Sequence, residues 1–152
     1  TDLFISEYIE GSSNNKAIEI YNGTGESVDL SSYKIELFSN GSATASSIFN
    51  LSGTLDHGEV IVVHHGSSVQ ALIDAAASAQ IVVSSSGVTN FNGDDALALY
   101  NGSEIIDSFG QVGVDPGSAW TSGGVTTVNR TLVRNASVLS GRTDSTCIRP
   151  KH

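Results

Sequence analysis

The sequence predicts an all-β sandwich of about nine short strands with one short helix. Three observations lead there. Apolar residues come in strand-sized bursts, such as residues 60–63 and 81–83, separated by Gly, Asn, Ser and Asp turns. Within a burst the faces alternate: Ile18 and Ile20 share one side, Ala17, Glu19 and Tyr21 the other. A single segment, residues 67–79, carries helical spacing instead.

Residues 3–10 read as the first strand and 17–21 as the second, joined by Gly11-Ser12-Ser13-Asn14-Asn15, which tolerates positive φ. Asn22-Gly23-Thr24-Gly25 stops the second strand, and residues 28–33 lead into a third over 34–38, closed by Asn40-Gly41-Ser42. Residues 48–51 form a short strand, and 53–58 a turn. The β-branched run 59–64 is expected to be buried on both faces. In the helical segment Ser67 or Ser68 is the predicted N-cap, with Val69, Leu72, Ile73 and Ala76 on one stripe. Residues 81–83 return to strand. Residues 95–100 and 104–109 form a hairpin around Asn101-Gly102, a strong hairpin signal. A long loop over 111–124 holds Pro116 and Trp120, the sole tryptophan, and 127–134 is the closing strand.

The 152 residues suffice for one domain with a real core. No apolar stretch approaches the ~20 residues of a membrane span. The net charge of −9 is unevenly spread. Residues 1–127 hold 15 acids and 2 bases, a net of −13; residues 128–152 hold 1 acid and 5 bases, a net of +4. The acidic body repels phosphate backbones, so nucleic-acid binding is disfavoured. The basic end is expected to lie along the body as its last strand and exit linker. The lone Cys147 cannot form an internal disulfide. It reads as a chance thiol or as half of a disulfide completed downstream in a longer parent. Thr1-Asp2-Leu3 already reads as the lead-in to a strand, so a processed or trimmed chain without its signal peptide is expected. Arg149-Pro150-Lys151-His152 reads as a cut inside a longer protein. The polar, uncharged, turn-rich composition is common in secreted bacterial proteins.

Two segments carry a family resemblance. The first runs from Ser6 to Asn22, with Glu7, Glu10-Gly11-Ser12-Ser13-Asn14-Asn15-Lys16-Ala17 and Glu19; the second is Gly93-Asp94-Asp95-Ala96 with Asp107 and Gly110. With Arg130-Thr131-Leu132-Val133-Arg134 they resemble the lamin-tail domain, an immunoglobulin-like β-sandwich, in its bacterial branch. The resemblance covers residues 3–135 and divides the chain into a sandwich over 1–136 and an extension or linker over 137–152. It implies an accessory module at the start of a secreted nuclease, where chemistry resides in later domains.

Several constellations are candidates for chemistry. Glu7 is in phase with Ile5 and Ile9, and Asp107 with Ile105 and Phe109, so each carboxylate is expected on an apolar face and needs a partner. Arg130 and Arg134 supply cations for structural ion pairs with Glu7 and Asp107. The alternative is an oxygen-ligand Ca²⁺ site built from Glu7, Glu10, Asn92, Asp94 and Asp95, with Asn14 and Asn15 nearby. The spacing matches no EF-hand. Residues 11–16 lack the second glycine and the Ser/Thr of a phosphate loop. His57, His64 and His65 read as solvated residues rather than zinc ligands. No Gly-x-Ser-x-Gly occurs, and the six Asn-x-Ser/Thr sequons, at Asn22, Asn40, Asn50, Asn101, Asn129 and Asn135, follow largely from the Ser/Thr content.

The expected function is therefore a non-catalytic accessory or interaction domain of a secreted bacterial nuclease-type enzyme. It would position or anchor its parent and be stabilised by Ca²⁺ if the acidic loops bind it. Its partners would be downstream catalytic domains, another protein or a cell-surface component. The alternative is a carbohydrate-binding module, which requires Trp120 exposed beside Asn90 and Asn92 as a stacking platform, whereas a lone tryptophan more often plugs one end of the sandwich.

Overall fold

The computed structural model describes residues 1–143; Asp144, Cys147, Arg149 and Lys151 lie outside the described residues. The strands are β1 (Phe4–Glu10), β2 (Lys16–Tyr21), β3 (Val28–Asp29), β4 (Tyr33–Phe38), β5 (Ser47–Asn50), β6 (Thr54–Leu55) and β7 (Val60–His64). After helix α1 (Gln70–Ala76) come β8 (Ile81–Ser84), β9 (Ala96–Asn101), β10 (Glu104–Phe109), β11 (Thr121–Ser122), β12 (Val125–Thr126) and β13 (Arg130–Val133). A 3-10 turn, Leu30–Ser32, precedes β4.

One sheet has the order β13-β1-β2-β7-β8 and the other β10-β9-β4-β5. Pairing is antiparallel except for β7 and β8, which run parallel because α1 carries the chain back between them. Ile18, Ile20, Ile61 and Val63 of the first sheet pack with Ile35, Leu37, Leu97 and Leu99 of the second. Tyr8 lies stacked between Phe91 and Phe109, with ring centroids 4.8 and 4.1 Å away. This is the predicted all-β, immunoglobulin-like sandwich. Val62 turns away from that core and packs with Ala17 and Ala76 beneath α1, so β7 is buried on both faces.

All nine predicted strands are present, with ends moved by at most three residues. Four two-residue strands form the pairs β3-β6 and β11-β12. They are too short to carry a period-two pattern.

The predicted helix cap is corrected. Val69 occupies the N-cap position without a side-chain cap bond. Instead, Asn15 Oδ1 accepts the Val69 N–H at 2.9 Å from the β1–β2 turn, and Ser68 Oγ donates to the Asn14 carbonyl at 2.9 Å. The turn thereby ties the helix to the sheet.

The predicted phases of Glu7 and Asp107 are also corrected, for one shared reason. β1 shifts register between Ile5 and Glu7, and β10 between Ile105 and Asp107. Each bulge inserts one residue and turns the following side chains over. Ile5 therefore joins the main core, while Ile9 packs beneath α1. Asp107 pairs with core-facing Leu99, while Ile105 packs on the outer side with Phe38, Ala96 and Ala98.

Candidate functional site

Two buried charged clusters hold most of the residues singled out from the sequence. In the first, β1 ends at Glu10 and β2 begins at Lys16, directly opposite across the turn. Glu10 is 5% and Lys16 6% exposed. The Lys16 ammonium donates to the Phe91 carbonyl and to Asn92 Oδ1 at 3.3 Å, and lies 3.6 Å from Glu10 Oε1. Glu10 Oε2 accepts the Asn129 N–H. Asp95, also buried, accepts the Asn40 N–H at 2.9 Å and the Asn92 N–H at 2.7 Å. Its two oxygens thus fix the Asn92 to Asp95 turn against the β4–β5 loop.

Trp120 closes this end. It is 3% exposed, and its indole N–H donates to the Asp95 carbonyl at 2.9 Å. Gly110, at φ +76°, passes so close that an added Cβ would stand 2.6 Å from the indole nitrogen. Thr127 bridges the Gly93 carbonyl and the Trp120 N–H, which donates to its hydroxyl at 3.0 Å. A sugar-stacking role for Trp120 is corrected accordingly: both ring faces are inside the protein.

The second cluster centres on Asp107, which is fully buried. Its Oδ2 accepts the Ile5 N–H at 2.7 Å and Arg134 Nη2 at 2.8 Å; its Oδ1 accepts the Ser108 N–H at 3.0 Å and the Arg142 N–H at 2.9 Å. Arg134 Nε also donates to the Ile5 carbonyl at 2.7 Å. Burial pushes the Asp107 carboxyl up, against the opposing pull of Arg134 and the Arg142 and Ile5 amides. The β1 bulge, the β10 bulge and the segment after β13 thus meet at one carboxylate. Arg130 does not join them; it is exposed and its Nη1 donates to the Asn129 carbonyl at 3.3 Å.

Glu7 stands apart from both clusters. It is half-buried on the outer face of the five-stranded sheet, directly across from Glu19. Burial, and then the Glu19 charge, push its carboxyl above the ordinary carboxylate value. A pKa raised in the folded state means that stability is fully present below the unfolded value and is lost as pH rises through the folded one. Glu7→Gln is therefore expected to stabilise the fold at neutral pH by about 0.5 kcal/mol, the scale of a like-charged cross-strand pair. The gain should shrink to nothing as the pH falls below the carboxylate range, which paired urea melts at neutral and acid pH would check.

Of the five residues offered for calcium, Glu10, Asn92, Asp94 and Asp95 share one end of the sandwich, and Glu7 stands apart. Glu7 lies on the outer face, Asp95 is engaged by two amides, and Lys16 supplies the cation beside Glu10 and Asn92. Asp94 is half-buried on the turn. Among the described residues no three His, Cys, Asp or Glu side chains group as a metal site. Thermal melts in EDTA and in millimolar Ca²⁺ should superimpose, because a ligand bound to the native state alone must raise the midpoint. A rise of several degrees that Asp94→Asn abolishes would overturn this.

Two of the three histidines read as solvated, His64 and His65, are not. His64 and His65 are buried: the His64 ring meets the His65 carbonyl at 2.9 Å, and His65 Nδ1 accepts the Ser67 N–H at 3.1 Å. His57 is exposed, and its Nδ1 accepts the Gly25 N–H at 3.1 Å.

A family model described as Lamin Tail Domain matches residues 1–113. The chain belongs to the lamin tail domain family. No curated protein and no solved structure matches at a significant level. Lamin tail domains are non-catalytic, immunoglobulin-like interaction modules. In this lamin tail domain the matched span supplies Glu10, Lys16, Asn92, Asp95 and Asp107. Trp120, Thr127, Asn129 and Arg134, which complete both clusters, follow it in the chain.

Sequence reasoning missed two structural anchors. Lys16 had a legible signal, since it and Glu10 flank a five-residue turn and must face each other if the hairpin is in register. Asn22 had none beyond its place at a strand end. It is fully buried and donates to the Glu26 and Leu55 carbonyls at 2.9 and 2.8 Å. Its Oδ1 accepts from Thr24, so the first sequon is a loop brace.

Proposed function

We propose that this lamin tail domain is a non-catalytic accessory module of a secreted bacterial nuclease-type enzyme. It positions or anchors the downstream catalytic domains by binding another protein or a cell-surface component. The observation that carries this reading is the fate of the buried charged side chains. Glu10, Asp95 and Asp107 are each taken up by internal bonds, so they hold the sandwich and offer no reacting group. What remains for contact is edge and outer surface: Ile48 on β5 and Val133 on β13 are 54% and 64% exposed on the outermost strands of the two sheets. An exposed edge strand supports recognition by strand addition, with the backbone giving affinity and alternate side chains giving specificity. The acidic body disfavours the nucleic acid itself as ligand.

The test uses the parent open reading frame with and without residues 1–143. The module reading expects unchanged turnover on soluble DNA and loss of retention at the cell surface. A loss of turnover in solution with retention intact would defeat it. The carbohydrate-binding alternative has lost its named contact, because Trp120 is buried.

A further inference from the structure

Helix α1 covers only part of the outer face of the five-stranded sheet. Leu72 and Ala76 pack against Ile9, Ala17 and Val62. Beside this contact lies a cavity of about 130 Å³ between the helix and strands β1, β2 and β7. Its walls are mostly aliphatic, including Ile9, Val60, Val62 and Leu72, while Glu7 and Glu19 also line it. The two carboxylates are direct cross-strand partners, and such like-charged pairs are destabilising. Ser6 Oγ donates to Glu19 Oε1 at 2.7 Å. Among the described residues no Lys, Arg or His forms an ion pair with either carboxylate.

Building on the interaction-module reading, the geometry points to this slot as a docking site for a lysine or arginine side chain on an exposed segment of a partner protein. The match is one of charge and shape together. A basic side chain carries an apolar stem and a cationic head. The stem suits the aliphatic walls, and the head would lie between two carboxylates that repel each other until a cation arrives. The net of −13 over residues 1–127 draws basic segments toward the body in the same sense. An arginine fork can also bond a carboxylate through two parallel N–H groups, which favours arginine over lysine. Burial in this slot, and then the Glu19 charge, hold the Glu7 carboxyl above its ordinary value.

The test is an amide-shift titration of the ¹⁵N-labelled chain with three blocked tripeptides, acetyl-Gly-X-Gly-amide, where X is arginine, lysine or norleucine. The arginine and lysine peptides should give saturable shifts at Ile9, Ala17, Leu72 and Ala76, fading with added salt. The Glu7→Gln/Glu19→Gln variant should bind them about tenfold more weakly, a loss of about 1.4 kcal/mol. That variant removes a repulsion, so its fold is expected to survive, and its melt is the control. Absence of shifts, equal shifts with norleucine, or an unaffected double variant would overturn the slot. Equal shifts on raising the protein concentration alone would assign the face to a second copy and overturn it too. If the slot fails while surface retention of the parent still requires residues 1–143, the module reading stands by itself. If retention is independent of those residues while the peptides bind, the reverse holds.

Discussion

Asp107→Ala is expected to destabilise the sandwich by about 3–5 kcal/mol, the scale for removing one partner of a buried ion pair. The carboxylate is fully buried and receives four donors. Its loss would leave the Ile5 and Arg142 amides without an acceptor, and the Arg134 guanidinium beside an empty space. Buried donors stripped of their acceptor carry their full desolvation cost. Asp107→Asn should cost less, because one amide oxygen can still accept from Ile5 or Arg134. Urea unfolding of the two variants beside the parent chain checks the order. A cost below about 1 kcal/mol for the alanine variant, typical of an exposed pair, would mean that the cluster is not buried in solution.

Lys16→Met is expected to have an effect of similar size, about 3–5 kcal/mol. Methionine fills the space of the stem but strands Glu10 at 5% exposure, and the Phe91 carbonyl loses its donor. The informative comparison is the double variant Glu10→Gln/Lys16→Met. With the buried charge also removed, part of the loss should return, so the double cost should fall short of the sum of the two single costs. Such a cycle isolates the coupling between neighbouring side chains. Additive costs would show that Lys16 acts through Phe91 and Asn92 alone.

Much of the fold was legible because strands long enough to alternate declare themselves. β1, β2, β4, β7 and β9 each bury one face or both in a run of five to seven residues, and β10 packs half-buried Ile106 and Phe109 on the core. The two-residue strands and the helix cap from Asn15 were not, since the first have no period and the second depends on a residue 54 positions away. The candidate sites were half legible. That Asp107 needs a cation follows from its apolar neighbours, and Arg134 supplies one. Which face Glu7 takes does not follow from strict alternation, because a bulge at Ser6 reverses it. Bulges leave little mark on composition, and they decide here which carboxylate is braced inside and which faces the helix.

The pairing of β13 with β1 has a kinetic side. The first strand's outer hydrogen-bonding edge is filled by residues from the far end of the chain, from Glu10 opposite Arg130 to Glu7 opposite Val133. A pairing so distant in sequence must overcome a long loop closure before it gains any contact, which slows folding. On the ribosome, β1 and β2 can meet early, but the edge of β1 stays open until residues 130–133 have emerged. During that interval it is a bare template for strand addition by any neighbouring chain. A nascent copy caught at that stage would be most vulnerable to mispairing with its own siblings.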